Sequence, residues 1–485
     1  MAQNKISEAQ KVMELLKVDE LADVGGHEAS EEAGGKTDLA LLAGVDPEIA
    51  RRYQSISDNL AALGEEQRAL LEKRKAGASL TAQEEQRLKD LRQDMTAARK
   101  IFASFTGGLA EELAKSGRQN ADLGNLETYQ RLLGTMGEGT VLLQTILTED
   151  RLWLVLTTPN VVVAKESPLE VKSLTEKVAK FRDVLQDPDL DARPLAREFH
   201  EAVIGPVADS LKQAKARTIM FSLDGQLRYI PMATLYDGQK WLVQNYRLSL
   251  FNEATKAGLA IPFVGNWKVA GLGVTKGHTV DVGGKRGSFS ALPAVKDELA
   301  AIVKTRDNKK GVLQGSITLD EGFTNDSLAE VLEAGYPVVH LASHFHFDAK
   351  DPERSFLLLG DGSGLPLTRI ETEDYKFKNV DLLALSACQT ARGGVDATGK
   401  EIEGFGALAQ KRGAKAVLAT LWPVFDESTG LLMSSFYSIH SEKDQPSIAE
   451  SLRRAQLMMI EGRIKGQDFS HPFYWGPFVL MGDWR

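Results

Sequence analysis

The sequence predicts an α/β fold with a mostly parallel sheet flanked by helices, preceded by an α-helical N-terminal region. Two apolar runs, at 336–342 and 382–385, lack helical spacing and are bounded by turn residues, which is typical of strands buried on both faces. Strand-like and helix-like segments alternate from about residue 140 onward, whereas the first 135 residues show helical periodicity. These observations favour an α/β domain that follows a helical region.

The length of 485 residues is enough for two or three domains. We predict a helical region at 1–137 and an α/β domain at 138–485. The hydrophobic period changes near residue 140, and within the α/β domain we predict a first lobe at 138–265 and a second lobe at 266–485.

Composition and charge exclude several classes of protein. The chain is 26% charged and 43% apolar with a formal net charge of −9 and no long basic run, which argues against nucleic acid as a direct ligand. No segment approaches the ~18 apolar residues that a membrane helix needs. The first residues, MAQNKISEAQ, lack the apolar core of a secretory signal, and a single cysteine cannot form an internal disulfide. We therefore expect the protein in the reducing cytoplasm, without contact with membranes.

The N-terminal region reads as a helical hairpin with arms at 51–74 and 81–105. Thr81 and Glu84 have the spacing of a capping box. The second arm has a heptad seam, formed by Leu88, Leu91, Met95, Ala98 and Phe102. Two interpretations stay open: a helical pair that packs on its neighbour, or a coil that binds a partner.

The α/β domain contains its predicted elements in regular order. The predicted strands are TVLLQTIL, RLWLVLTT and VVVAK, which suggest a meander, then RTIMFSL, WKVAGLGV, YPVVHLASHFH, a run ending at Cys388, and AKAVLATLWPV. Helices are predicted at 169–185, at 194–211, after Pro293, after a cap at Asp326, at 401–411 and at 427–439. The glycine-rich segment TKGHTVDVGGKRGS, with Gly283 and Gly284, is expected to be a mobile surface loop.

Two of these strands end in residues that carry chemistry. Cys388 ends one run, and His340, His344 and His346 lie along or just after another. Because parallel strands present their carboxyl ends at one edge, neighbouring strands would place a histidine beside the cysteine, as a base beside its nucleophile. Alternation alone does not choose among the histidines, and a lone cysteine at the end of an apolar strand is, on general grounds, more often a packing residue than a nucleophile.

Other kinds of site find little support. Alternate residues of one strand rarely converge on one ion and Cys388 has no CxxC partner, so we expect no metal. No GxGxxG or P-loop follows any predicted strand, which argues against nucleotide binding, and we expect no cofactor.

Three segments together resemble the CHAT family of caspase-like cysteine peptidases, which is related to separases and often attached to tetratricopeptide-type repeats. They are VVHLASH, LLALSACQTARGG and EIEGFGALAQKRGAKAVLATLWPVFDESTGLLMSSFY, and the likeness extends over roughly 138–485. The resemblance implies a caspase-like sheet with His344 as catalytic base, Cys388 as nucleophile, and the backbone N–H groups of Cys388 and Phe345 as oxyanion donors. By the same likeness His340 is a core histidine and His346 a surface one.

The chain departs from the family pattern after the histidine, where glycine is common and this chain has Phe345. We expect this side chain to enter the cleft and to affect the oxyanion geometry or the substrate shape. Asp426, after the LW-containing strand, matches an acid that in separase-like relatives favours a basic residue before the cut bond, and Glu403 is a second candidate. Each also has a structural interpretation, as a helix N-cap and as a first-turn carboxylate.

The resemblance implies a cytoplasmic thiol endopeptidase that cleaves a protein substrate. Cleavage after Arg or Lys, and control by an activating partner or signal through the helical region, as in bacterial defence systems, are hypotheses. The alternative is a caspase-like scaffold or sensor with impaired catalysis that acts by protein–protein interaction. The pair His344 and Cys388 favours the peptidase, and Phe345 favours the scaffold.

Overall fold

The computed structural model describes part of the chain. The described residues are 70, 73, 81, 83–87, 89–91, 123–147, 151–252, 254–255, 259, 263, 265–282, 285–346, 354–370, 375–386, 400–422, 424, 426–462 and 467–485. At 123–128, 282, 285–286, 400–404 and 426 the description is of the backbone alone. The described residues fall into two compact units, and the second of them contains 129–485.

Strands and helices alternate through the second unit as the sequence predicts. The strands are β1 (Thr140–Leu147), β2 (Leu152–Thr157), β3 (Val162–Glu166), β4 (Thr218–Ser222), β5 (Arg247–Leu250), β6 (Val269–Gly273), β7 (His278–Val282), β8 (Lys285–Phe289), β9 (Val303–Lys304), β10 (Leu313–Leu319), β11 (Val338–Ala342), β12 (Phe345–His346), β13 (Phe356–Leu358), β14 (Gly364–Pro366), β15 (Leu382–Ser386), β16 (Ala416–Thr420) and β17 (Phe478–Gly482). The helices are α1 (Leu123–Thr135), α2 (Val171–Leu185), α3 (Arg193–Val203), α4 (Ala208–Gln213), α5 (Leu242–Asn245), α6 (Val295–Ile302), α7 (Asn325–Glu333), α8 (Leu367–Ile370), α9 (Lys400–Lys411), α10 (Asp426–His440), α11 (Ile448–Ile460) and α12 (Pro472–Trp475).

Twelve of the described strands form one sheet in the order β3-β2-β1-β4-β5-β17-β16-β15-β11-β6-β10-β9. Neighbours are parallel except within the β1–β2–β3 meander and between β16 and β17. The predicted fold class, a mostly parallel sheet flanked by helices, is confirmed. The predicted meander is confirmed as well.

The strands at the centre of the sheet are buried from end to end, which explains their continuous apolar runs. All residues of β6, β11 and β16 are buried. Helix α6 packs directly on β6, because a Cβ at Gly273 would lie only 2.5 Å from a methyl carbon of Val295. Glycine at this position therefore brings α6, and the chain segment just before it, close to the sheet edge that carries the candidate site.

Two predicted elements differ from the structure. The histidine run does not continue as one strand to His346: β11 ends at Ala342, and β12 belongs to a separate three-stranded sheet, β12-β13-β14. The glycine-rich segment is not a shapeless loop, since β7 and β8 pair as an antiparallel hairpin on either side of Gly283 and Gly284, which lie outside the described residues. We call β7 and β8 the β7–β8 hairpin.

Helix α7 shows a further correction. The sequence suggested Asp326 as the cap, but the cap is Thr324, whose hydroxyl accepts a hydrogen bond from the Ser327 N–H. Thr324 is extended and precedes the first helical residue, as an N-cap must, whereas Asp326 lies in the first turn.

A buried ion pair joins the starts of β15 and β16. Lys415 Nζ lies 2.5 Å from Asp381 Oδ1, and the two side chains are 1% and 0% exposed. The backbone supports the same junction, because the N–H of Ala416 donates to the carbonyl of Asp381. The strand that leads toward Cys388 is thus anchored to β16 at its amino end by charge as well as by the sheet.

Only parts of the N-terminal predictions fall on described residues. The capping box is confirmed, because the N–H of Glu84 donates to the hydroxyl of Thr81 and the N–H of Thr81 donates to the carboxylate of Glu84. Of the heptad seam only Leu91 is described; Leu88, Met95, Ala98 and Phe102 lie outside. The described helices include none that is both long enough and apolar enough to cross a bilayer. The domain boundary at 137/138 stays a prediction.

Candidate active site

The strands β11 and β15 are direct neighbours, as the predicted site requires. They pair in parallel, from Val338 opposite Leu382 to Ala342 opposite Ser386. In each pair the residue numbers differ by 44. One residue further on, the N–H of Ser343 donates to the carbonyl of Ser386 over 3.2 Å. The same 44 residues separate His344 from Cys388 in the sequence. Cys388 itself lies outside the described residues.

His344 follows the end of β11 and has one well-defined partner. Its Nε2 lies 2.8 Å from the carbonyl oxygen of Ser290, so Nε2–H is the donor and Nδ1 is left as the acceptor. The residue is 4% exposed. Burial lowers the pKa of His344 below its ordinary value; the bond to Ser290 opposes this change and nearby His278 adds to it. His344 is therefore a neutral base at neutral pH.

Phe345 is positioned differently from the expectation. Its ring is 5% exposed and packs edge-on against Phe405 of α9, with centroids 5.8 Å apart, so it belongs to the core. As part of β12 it is extended and has a negative φ. The side chain thus packs in the core, and its effect on the oxyanion geometry or the substrate shape stays a prediction.

The backbone of Phe345 can still serve as a donor. Phe345 is opposite Leu357, and the N–H of Leu358 donates to the carbonyl of His344. In an antiparallel ladder, a hydrogen bond in this position means that Phe345 and Leu357 form a non-hydrogen-bonded pair. The N–H of Phe345 therefore points away from β13. Since β12 is the edge strand of its sheet, this N–H lies on the outer side.

His340 is a core histidine, as expected from the resemblance. It is fully buried, with Nε2 3.0 Å from Glu298 Oε1 and Nδ1 3.1 Å from the Tyr437 hydroxyl. His346 is partly buried rather than a free surface residue, since its ring packs 5.2 Å from that of Phe356 and 6.3 Å from that of Phe289. The structure thus separates the three histidines that alternation could not distinguish.

The other predicted site residues are described less fully. Asp426 is the first residue of α10 and Glu403 lies in the first turn of α9, in both cases with the backbone alone described. The roles of Asp426 and Glu403 in substrate binding stay predictions. The role of Cys388 as nucleophile also stays a prediction. Among the residues with described side chains, no group of three or more His, Cys, Asp or Glu could hold a metal ion.

Sequence reasoning missed the contribution of the β7–β8 hairpin and of Ser290. A backbone carbonyl leaves no trace in residue type, so the partner of His344 was not predictable. The hairpin did leave a signal: two five-residue runs separated by Gly283-Gly284 are the spacing of a two-residue β-turn.

Comparison with known proteins finds partial matches to one curated protein and to solved structures. The chain is 32% identical over 120 residues to mouse tetratricopeptide repeat protein 28, a match that covers 24% of this chain and 4% of the mouse protein. Among solved structures it is similar to the Saccharomyces cerevisiae separase in its complex with securin, at 10% identity, a TM-score of 0.48, and coverage of 73% of this chain and 30% of that one. It is also similar to the Arg-specific cysteine proteinase gingipain R (RgpB) of Porphyromonas gingivalis, at 10% identity, a TM-score of 0.39, and coverage of 64% and 75%.

A family profile assigns the family. The chain spans only a small part of the mouse protein and about a third of the separase chain, so their whole activities are not carried over. The profile of the CHAT domain, in contrast, matches residues 193–483, which is more than half of the chain and contains β4 to β17. The chain therefore belongs to the CHAT domain family.

Proposed function

We propose that this CHAT protein is a cysteine endopeptidase in which His344 activates Cys388. The observation that carries the proposal is the state of His344: it lies two residues beyond the end of β11, burial lowers its pKa, and its Nε2–H donates to the Ser290 carbonyl so that Nδ1 can accept a proton. The 44-residue offset of the β11–β15 pairing supports Cys388 as the residue that faces it.

The proposed reaction begins with proton transfer from the Cys388 thiol to Nδ1 of His344. The thiolate attacks the carbonyl carbon of the scissile bond, and the resulting oxyanion is bound by the N–H groups of Phe345 and Cys388. The imidazolium then donates its proton to the leaving amine as the C–N bond breaks. In the second half His344 removes a proton from a water molecule as the water oxygen attacks the thioester carbon. The C–S bond then breaks, the carboxylic acid product leaves, and the imidazolium returns its proton to the Cys388 thiolate.

The resting charge state follows from the surroundings of His344. Because burial lowers the pKa of His344, the resting imidazole is neutral and can accept a proton. The Ser290 carbonyl then stabilises the imidazolium as it forms, since Nε2–H becomes a stronger donor when the ring is charged.

The proposal also covers the substrate specificity and the regulation of the peptidase. Asp426, at the start of α10, and Glu403, in the first turn of α9, would attract a basic residue before the cut bond. The helical region before 138 would receive an activating protein or signal, in the cytoplasm, as in bacterial defence systems. This part is supported by the family resemblance alone.

The test is cleavage of a diverse peptide library by the full chain, with and without cell extract as a source of activator. We expect cleavage that is lost in Cys388→Ala and in His344→Ala but kept in His346→Ala, a matched control on the same segment. We expect Arg or Lys before the cut and a loss of that preference in Asp426→Asn. If no condition gives cleavage and Cys388 reacts with iodoacetamide no faster than a free thiol, the peptidase proposal is wrong and a scaffold role takes its place.

A further inference from the structure

The β7–β8 hairpin lies against the base through its last residue. Phe289 is 7% exposed, and its ring centroid is 5.5 Å from that of His344 and 5.8 Å from that of Phe356 on β13. One side chain therefore bridges the catalytic histidine and the small sheet that carries Phe345. A flat apolar ring beside an imidazole limits the angles that the imidazole can adopt.

The first residue of the hairpin contacts the same small sheet. His278 is the pairing partner of Phe289, and its ring lies on the turn between β13 and β14. Gly362, in that turn, has a φ of +84°, and a Cβ there would lie 2.8 Å from Nδ1 of His278. The Nε2 of His278 is buried without a hydrogen-bond partner among the described residues. This histidine is thus held by packing, and the hairpin contacts the β12-β13-β14 sheet at two points.

The hairpin also sets the position of the carbonyl that orients His344. Ser290 follows Phe289 directly, and α6 begins only five residues later. Its carbonyl position is therefore determined by the hairpin on one side and by the packing of α6 on β6 on the other. Displacing the hairpin would move both the ring contact and the hydrogen-bond acceptor of the base.

We propose that the β7–β8 hairpin is a clamp that positions His344, with Phe289 as its principal positioning residue. The base would point toward the nucleophile only while the hairpin lies on the β13–β14 turn. The inference deepens the proposed peptidase function and rests on it for its catalytic consequence. The structural part of the inference, that Phe289 and Ser290 orient the His344 ring, can be measured without any substrate.

The experiment is nuclear magnetic resonance of the full chain labelled with ¹⁵N-histidine, where the His344 signals are identified by their loss in His344→Ala. In the wild type we expect the Nε2–H proton of His344 to exchange slowly, because it is hydrogen-bonded and buried, and the ring to titrate below the usual range. In Phe289→Ala we expect fast exchange and a pKa that moves up toward the ordinary value. Unchanged exchange and an unchanged pKa would overturn the proposal.

The matched control is Phe469→Ala. Phe469 is also 7% exposed and also packs against an aromatic ring, that of Tyr474, but it lies in the segment before α12. Phe469→Ala should lower the free energy of unfolding about as much as Phe289→Ala and should leave the His344 signals unchanged. An equal response of the His344 signals in both variants would contradict a specific clamp. If Phe289→Ala does not fold, Phe289→Leu keeps the apolar volume and should give an intermediate exchange rate. An exchange rate equal to that of the wild type would count against the ring contact.

Kinetics separate this inference from the peptidase proposal. For an active chain we expect Phe289→Ala to lower kcat about 10- to 100-fold with little change in KM, since a displaced base costs turnover rather than substrate binding. Full activity in Phe289→Ala would overturn the clamp. If no condition gives cleavage and Cys388 reacts with iodoacetamide no faster than a free thiol, but the His344 signals respond to Phe289→Ala as expected, the clamp stands and the peptidase proposal fails.

Discussion

The hydroxyl of Tyr437 lies 3.1 Å from Nδ1 of His340, and this contact joins helix α10 to the strand that leads to His344. Burial raises the pKa of Tyr437 well above its ordinary value, so the hydroxyl stays protonated and donates. The Nε2–H of His340 in turn donates to Glu298 of α6, at 3.0 Å. Three buried polar groups from α6, β11 and α10 are thus satisfied by one another.

Removing the hydroxyl should destabilise the fold. Tyr437→Phe leaves a buried imidazole nitrogen without its donor, and we expect the free energy of unfolding to fall by about 1–3 kcal/mol. Urea unfolding measures this change. Ser434→Ala is the control on the same helix, because its hydroxyl donates only to the nearby carbonyl of Leu431, and it should cost less than about 0.5 kcal/mol. Equal effects of the two substitutions would contradict the importance of the contact.

The buried pair Asp381–Lys415 should be strongly coupled. Asp381→Asn or Lys415→Met alone leaves one buried charge uncompensated, for which we expect a loss of about 3–5 kcal/mol. The double variant Asp381→Asn with Lys415→Met should lose less than the sum of the same two single changes. A double-mutant cycle by urea unfolding gives the coupling. The exposed pair Arg151–Glu166, about half exposed on both sides, is the control and should show coupling below about 1 kcal/mol; additivity at Asp381 and Lys415 would be inconsistent with this prediction.

Acid should destabilise the protein through His440. Burial lowers its pKa to about 4, which the backbone at Pro446 and the charge of Asp381 oppose. Its ring stacks on Trp267 at 3.8 Å and its Nδ1 lies 3.3 Å from the Ser451 hydroxyl. The unfolded chain binds a proton near pH 6.5 and the folded one only near 4, so stability is present above 6.5 and is lost as the pH falls between these values, by up to about 3 kcal/mol.

The measurement is urea unfolding at pH 7 and pH 5. The wild type should lose more stability on acidification than His440→Gln, in which this titration is absent. His346→Gln is a matched histidine control outside this cluster and should follow the wild type. The same acid loss in His440→Gln as in the wild type would disprove the assignment.

A glycine at position 345, as is common in the family, should not increase the proposed peptidase activity. Phe345→Gly removes a ring that packs on Phe405, and we expect a loss of about 3–5 kcal/mol in unfolding free energy with no gain in kcat per folded molecule. Phe345→Leu, which keeps apolar volume, should lose less than Phe345→Gly. Rates normalised to the folded fraction test this. A higher kcat in Phe345→Gly would mean that the ring does obstruct the cleft.

The pH profile of cleavage should reflect the buried base. The pKa of His344 is lowered, and the neutral imidazole is the active form, so kcat/KM should rise with pH along a limb centred below the usual histidine value of about 6.5. Initial rates with a fluorogenic peptide between pH 4 and 8 measure the limb. A limb centred at or above 6.5 would contradict the assignment of His344 as a buried, neutral base.

Much of the fold could be predicted from the order of apolar and polar residues, because buried strands and helices each need apolar side chains at characteristic positions. Continuous apolar runs such as 382–385 identify strands buried on both faces, and the alternation of strand and helix restricts the sheet to mostly parallel pairing. The offset between His344 and Cys388 was also present in the sequence, although without the pairing of β11 and β15 it had no meaning.

What the sequence by itself determined is therefore the class of fold, the family and the pair of residues proposed for catalysis. Only the tertiary structure decided which groups satisfy His340, where the Phe345 ring packs and what holds His344. The physical reason is that these outcomes depend on contacts between distant segments and on a backbone carbonyl. His340 is satisfied by Glu298 and Tyr437, and His344 by Ser290, and neither set of partners is encoded by local periodicity.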